Sequence, residues 1–210
     1  MLRRYNINIL YGTNNIGKYI KLKNILANTK INLIFPPDIG LNINPLETGT
    51  TVIENAFIKA LAFSKETQLP VISLDSGLYL DCLPANLQPG LFVRRVNGKS
   101  LSDNDLFTYY QNLLKKYGGK SFGFWLDGLT LVKNCNLIDS LEYKDPCLFT
   151  SVPSNKQIPG QPLASLQLDL NLKKYKSEIT SYERASGISN FDNILKQFMQ
   201  KNIKNLKGHE

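Results

Sequence analysis

Residues 9–19 read ILYGTNNIGKY, and the way this stretch folds decides what kind of protein the chain is. Gly12, four residues, then Gly17 and Lys18 satisfy the G-x-x-x-x-G-K spacing of a P-loop, and Ile7, Ile9, Leu10 and Tyr11 precede it as a strand would. A P-loop also needs a Ser or Thr after the lysine, whose hydroxyl holds Mg²⁺. That position is Tyr19. A phenol cannot replace a short aliphatic hydroxyl at a metal packed against the loop. The metal is therefore held elsewhere, or the loop serves a different phosphate chemistry. A strand, a turn with two Asn and a Gly, and a lysine at a helix start still offer backbone N–H groups and a charge to a phosphate. The competing reading is an ordinary strand–helix turn with an exposed lysine.

Outward from this stretch, helix and strand alternate. Residues 5–11 read as a strand and 17–29 as a helix, with Ile16, Ile20, the Lys23 stem and Leu26 or Ile25 near one face. INLIF at 31–35 is a second strand, followed by a Pro-rich loop. Thr51 and Glu54 form a capping box, and the helix behind them presents Ile53, Phe57, Ala60 and Leu61 as its core stripe. PVISLD at 70–75 is a buried strand, and GLYLDCL continues extended into a loop over 84–99. SDNDLFTYYQNLLKKYGG is the best helix: Ser102 or Asp103 caps it, Leu106, Tyr109, Tyr110, Leu113 and Leu114 form the stripe, and two glycines stop it. Extended segments follow near 121–133, 136–143, 147–152, 163–170 and 174–179, then a helix from about Asn190 to Leu206. The pattern predicts one α/β domain over 1–210, with an elongated, mixed and curved central sheet flanked by helices. Two lobes with an active-site cleft between them are expected.

Composition narrows the chemistry. The single histidine is His209, beside the C-terminal residue, so a Ser-His-Asp triad, a Cys-His pair and His-ligated zinc are not credible. Cys82, Cys135 and Cys147 have no metal-ligand spacing and read as reduced thiols of a cytoplasmic protein. No apolar run approaches the roughly 20 residues needed to span a bilayer, and the N-terminus does not read as a signal peptide. The net charge of +8 is diffuse, and aromatics do not interleave with Lys and Arg as on a single-strand nucleic-acid platform. A field that attracts a small polyanion explains the sign as well. Carboxylates, lysines, arginines and a hard metal remain.

Among the acids, Asp75 ends an apolar strand immediately before Ser76-Gly77. Ligands gather at the carboxyl ends of strands in open α/β sheets, so it is a site candidate, although Asp, Ser and Gly also favour turns. Glu47 lies in a loop before a helix, as a solvated side chain or a metal ligand. Glu54 is accounted for by its cap, and Lys59, in the same helix, is by default a surface residue.

Four motifs, T-N-N-I-G-K at 13–18, E-T-G-T-T-V-I-E-N-A-F-I-K-A at 47–60, L-D-S-G-L at 74–78 and P-G-L-F-V-R-R at 89–95, occur together. In order and spacing they resemble the inosine triphosphate pyrophosphatase family over roughly the first hundred residues. The resemblance implies that Thr13, Asn14, Asn15, Ile16, Gly17 and Lys18 cradle a triphosphate with no hydroxyl needed after the lysine. It implies that Glu47 and Asp75 hold Mg²⁺, that Asp75 is also the general base, and that Ser76 and Gly77 contact phosphate. Lys59 and Arg95 match basic positions and become substrate contacts, and a homodimer is expected. Three departures stand out. Leu74 replaces the first of two aspartates. The Gly-Phe-Gly-Tyr-Asp-Pro base loop has only GQPLASL at 160–166 as counterpart, and the Ser-His-Arg motif is represented by Arg184 alone.

The implied reaction is Mg²⁺-dependent hydrolysis of non-standard purine nucleoside triphosphates (inosine, deoxyinosine and xanthosine) to monophosphate and pyrophosphate. Rival readings are a pyrophosphatase acting on another nucleotide, a nucleotide-binding protein with weakened catalysis, and, on charge alone, a nucleic-acid binder.

Overall fold

The computed structural model describes residues 7–180, 182–183 and 190–206. Tyr5 and Asn6 of the expected first strand, Arg184 and His209 lie outside the described residues. The elements are β1 Ile7–Tyr11, α1 Ile16–Ile25, β2 Ile31–Ile34, α2 Val52–Ser64, β3 Val71–Leu80, β4 Arg95–Val96, β5 Lys99–Ser100, α3 Asp103–Lys116, β6 Lys120–Lys133, β7 Asn136–Thr150, β8 Gln167–Leu168 and α4 Asn190–Leu206. Six strands form one mixed sheet in the order β2-β1-β3-β6-β7-β8, and helices accompany it, which is the expected α/β class. Among the described residues no helix is long and apolar enough to cross a membrane.

The chain divides into two compact units: Met1–Asp75 with Asp127–Tyr143 and Ser189–Glu210, and Ser76–Leu126 with Lys144–Ile188. In the first, β1 runs parallel to β2 from Ile7↔Ile31 to Leu10↔Ile34, and parallel to β3 through Leu10↔Val71 and Tyr11↔Ile72. Its main core gathers Ile9, Leu22, Ile72, Leu129, Leu131 and Met199; a smaller cluster holds Leu10, Ala60, Phe63, Val71 and Val132. β6 approaches α2 so closely that a Cβ at Gly128 would lie 2.6 Å from the carbonyl carbon of Val52 and 2.8 Å from the nitrogen of Ile53. β6 turns into β7 through Asn134 and Cys135, both left-handed at φ 50° and 62°, and the Cys135 N–H donates to Ser64 Oγ at 3.0 Å.

In the second unit, Leu78, Leu80, Leu106, Tyr110, Leu114 and Phe149 lead the core. α3 has the caps its sequence announces: Ser102 Oγ accepts from Asp105 N–H, and Gly118 and Gly119 follow at positive φ. Asn97-Gly98 turns β4 into β5 as an Asn-Gly hairpin does, both residues at positive φ.

Several expectations are corrected. α1 buries Gly17, Tyr19, Leu22 and Ile25, while Ile16 and Ile20 are about half exposed. The ring of Tyr19 stacks on Phe35 at 4.7 Å and its hydroxyl donates to the Leu33 carbonyl, so this large side chain sets which face turns inward. α1 stops at Ile25, where Thr29 Oγ1 caps the Leu26 carbonyl at 2.7 Å. On α2 the buried face is Val52, Asn55, Ala56, Lys59, Ala60 and Phe63, rotated from the expected stripe, with Ile53, Phe57 and Leu61 only half-buried. The segments 136–143 and 147–152 are joined into one strand, β7, which ends at Thr150. Pro146 lies within it, outside the pairing with β8, Leu148↔Leu168 and Phe149↔Gln167. The expected strand 163–170 reduces to a 3₁₀ turn at Pro162–Ser165 and the two-residue β8, and 174–179 to a bridge at Tyr175.

Candidate functional site

β1 ends at Tyr11, and the chain turns at once into α1. Thr13 N–H donates to the Tyr11 carbonyl at 2.6 Å, and Thr13 Oγ1 accepts from Asn15 N–H at 3.2 Å. Asn15 is the N-cap of α1: its Oδ1 accepts from Lys18 N–H at 3.0 Å. Asn14 donates to the Ile43 carbonyl at 2.8 Å and to Asn42 Oδ1 at 3.2 Å, tying this turn to the loop that carries Glu47. Ile16 is exposed and Gly17 buried at the helix start. The turn therefore presents a helix N-terminus and Lys18, while the Asn15 side chain serves the cap. Tyr19 answers the P-loop question structurally, since its hydroxyl sits in the core against β2 and faces no phosphate site.

The carboxylates come from elsewhere. Thr51 and Glu54 make the capping box as expected, and Glu54 also accepts from Thr50 N–H and Oγ1 at 2.6 and 2.8 Å. With α2 so fixed, Lys59 points inward and is 9% exposed, against the surface position expected of it. Its Nζ lies 2.5 Å from Asp75 Oδ1 and 3.2 Å from Glu47 Oε1, so one buried ammonium joins the two acids. Asp75 is 6% exposed and sits in the middle of β3, whereas the strand was expected to end there. Pairing with β1 reaches only Ile72, so Asp75 still lies beyond the carboxyl end of β1. Its Oδ2 is buried with no hydrogen-bond partner.

Leu74 packs against the first unit's main core, on the opposite face of β3 from Asp75 by the alternation of strand side chains. A second acid at 74 would point away from Lys59.

Asp127, on β6, is the residue that sequence reasoning missed. It is 8% exposed, and its charge reaches two groups of this cluster. Burial pushes the Tyr11 phenol up, helped by Asp127 and then Asp75. Burial, and next the charge of Lys59, hold the Lys18 ammonium below the ordinary lysine value, opposed by Asp75, Glu47 and Asp127. The signal that could have found Asp127 is a single acid inside the apolar run FWLDGLTLV.

The remaining predicted residues belong to the second unit. Ser76 is half-buried. Gly77 is buried where Gly90 crosses: a Cβ would lie 3.0 Å from the Gly90 carbonyl oxygen, and Leu78 and Gly90 exchange both backbone hydrogen bonds. Arg95 is exposed, its guanidinium 5.4 Å from the ring centroid of Phe92. In the segment 160–166, Leu163 and Leu166 are core residues and Gly160 N–H donates to Asp103 Oδ2 at 2.8 Å, so this stretch is held by packing and by α3.

Among the described residues no group of three or more His, Cys, Asp or Glu side chains is arranged to hold a metal ion. The donors present are nonetheless those of a hard cation. Glu47 and Asp75 supply oxygens, Asp75 Oδ2 is unsatisfied, and Mg²⁺ is commonly held by one or two carboxylates plus phosphate oxygens and water. The residues fit Mg²⁺.

Fold and site together define an α/β protein whose opening strand–turn–helix leads to a buried cluster of carboxylates and lysines. The model of the Ham1 family matches residues 9–122, and the chain belongs to that family. The dITP/XTP pyrophosphatase of Leptospira interrogans is 38% identical over 92 residues, 44% of this chain and 46% of the relative. That of Escherichia coli K12 is 36% identical over 95 residues, 45% and 47% of the two chains. That of Bartonella henselae is 36% identical over 111 residues, 53% and 50%. The chain thus spans about half the length of the curated relatives it matches. The Ham1 protein of Staphylococcus aureus superposes with a TM-score of 0.66 at 21% identity, over 93% of this chain and 99% of that one. The HAM1 protein of Coxiella burnetii gives 0.66 at 22%, over 91% and 99%. These two share the fold.

Proposed function

We propose that the chain is a nucleoside triphosphate pyrophosphatase that acts as one domain. It hydrolyses non-standard purine nucleoside triphosphates, those of inosine, deoxyinosine and xanthosine, to the monophosphate and pyrophosphate. The observation that carries this reading is the cluster in which Lys59 joins Glu47 to a buried Asp75 with one unsatisfied oxygen. The names of the related dITP/XTP pyrophosphatases support the substrate class. The reading carries with it a cytoplasmic homodimer with neither nucleic-acid nor membrane partners.

In this mechanism Lys18 and the first turn of α1 receive the triphosphate, an ammonium and a helix N-terminus meeting phosphate oxygens. Ser76, Gly77, Lys59 and Arg95 add contacts. Mg²⁺ held by Glu47 and Asp75 would neutralise charge on the phosphate oxygens. Asp75 Oδ2 orients a water and takes its proton as the oxygen bonds to the α-phosphorus. The bond from that phosphorus to the bridging oxygen breaks, and pyrophosphate leaves with the electron pair.

Leu74 on the opposite face of β3 also weighs against the rival of a binder with lost catalysis, because its apolar character takes no acid away from Lys59. The test is a pyrophosphate-release screen with Mg²⁺ over inosine, xanthosine, adenosine, guanosine and pyrimidine triphosphates, with products read by phosphorus NMR. Monophosphate plus intact pyrophosphate is expected. A nucleoside diphosphate product refutes the reaction, and turnover of none of them favours the binding protein.

A further inference from the structure

Lys59 is an unusual resident of a metal site. Its ammonium touches carboxylates from two different elements, the loop before α2 and the middle of β3, at 3.2 and 2.5 Å. Lys59 and Asp75 are both more than nine-tenths buried, so this is no solvent-exposed ion pair that water could replace at little cost. A lysine placed for phosphate contact alone has no need to bridge two acids. An ammonium between two oxygen donors does what a cation does there: it neutralises them and sets their separation.

The charges around it leave room for more. Glu47 and Asp75 contribute −2 and the Lys59 ammonium between them +1, giving −1 for the ion-paired group. Asp75 Oδ2 takes no share of the ammonium's hydrogen bonds. Lys59 thus satisfies part of the site and blocks part of it. A divalent cation arriving at Glu47 and Asp75 meets like charge at close range, and that repulsion, least screened beside the buried Asp75, opposes its binding.

We propose, on the reading of a metal-dependent site given above, that Lys59 is a positioning residue that competes with the divalent cation. It holds Glu47 and Asp75 together as an internal counter-ion and thereby weakens the intrinsic affinity of the site for metal. When a divalent cation binds these acids, the ammonium gives up carboxylate oxygens, and the anionic oxygens of a triphosphate are acceptors of the same kind for it. Metal and nucleotide then bind better together than either does alone.

The experiment uses the full chain and Mn²⁺ alone, read by electron paramagnetic resonance, with thermal melting in chelator and in Mn²⁺. Lys59→Met removes the charge and keeps the length, and it should bind Mn²⁺ about tenfold more tightly than wild type. It should also melt lower than wild type in chelator and gain more from Mn²⁺. Lys59→Arg keeps the charge and should keep the weak binding. If Lys59→Met does not fold in chelator, Lys59→Gln keeps a donor for Asp75 without the charge and should show the same tightening. A folded Met or Gln variant that binds Mn²⁺ no more tightly than wild type overturns the competition while leaving the metal site standing. If neither wild type nor the folded Met and Gln variants bind Mn²⁺, both the competition and the metal site are overturned.

Discussion

Replacing Asp75 by asparagine tests the centre of the site with one atom exchanged. The change costs stability because Lys59 loses a charged partner at 2.5 Å in a buried position. Breaking a buried pair typically costs about 3–5 kcal/mol. Here two features reduce that figure: Lys59 keeps Glu47 at 3.2 Å, and the amide oxygen of asparagine can still accept from it. A loss of about 1–2 kcal/mol remains, which for a chain of this size lowers Tm by roughly 2–8 °C. The effect on chemistry is larger. Loss of the base or a metal ligand should lower turnover by about 10²-fold or more, equal to about 2.7 kcal/mol of barrier. Three measurements on one preparation separate these effects: pyrophosphate release with Mg²⁺, calorimetric binding of a non-hydrolysable triphosphate, and thermal melting. Binding within a few-fold of wild type, a modest Tm loss and a collapse of kcat are expected together. An Asp75→Asn protein that keeps turnover within about tenfold would falsify the assignment, whatever its stability.

Other outcomes bear on the base half of the site, the fold and its charges. With the usual base loop and His-Arg pair absent, 6-oxo purines should still be preferred, but by less than the roughly 10⁴-fold that a fixed buried donor can give; kcat/KM for inosine against adenosine triphosphate decides it, and a ratio near one refutes it. Tyr19→Phe should cost about 1 kcal/mol in chemical denaturation and leave turnover unchanged, since the hydroxyl serves only the Leu33 carbonyl; a loss of Mg²⁺ dependence would show that it does reach the site. Cys135→Gly relieves a left-handed cysteine and should raise Tm by about 2–4 °C, with the N–H to Ser64 retained. Glu183 is pulled from 4.5 to about 2, chiefly by the Lys174 ammonium and then the Thr180 N–H. Its depressed value means that its contribution to stability is present above pH 4.5 and lost as pH falls through about 2. Carbon NMR should show that midpoint returning toward 4.5 in Lys174→Ala.

The elements that could be read from sequence are those whose signals are local. The stops and starts of α3 and the capping box of α2 rest on side chains touching their own backbone or on helical periodicity, and they came out as expected. Facing directions did not, because they depend on what lies opposite. Ile16 and Ile20 look like a core stripe until Tyr19 is seen to fill the space against Phe35. Lys59 looks like a surface lysine until Glu47 and Asp75 arrive from other parts of the chain. The acids at 47 and 75 were legible through their motifs, and their joining was not. Asp127 belongs to no motif, and only the packing of β6 brings its charge to Tyr11 and Lys18.

The closeness of β6 and α2 at Gly128 has a consequence for inheritance and for engineering. The hydrogen that stands in for a side chain there works as a spacer of fixed thickness between a strand and a helix. Asp127 is its neighbour on the strand, and the helix it admits carries Lys59 seven residues after Val52. One methyl group at 128 would wedge the two apart without altering a single charge. Displacements of about 1 Å in a reacting constellation can cost roughly 10²-fold in rate. A position with no ionisable atom of its own therefore holds a veto over their alignment, and a screen confined to charged residues would pass it by.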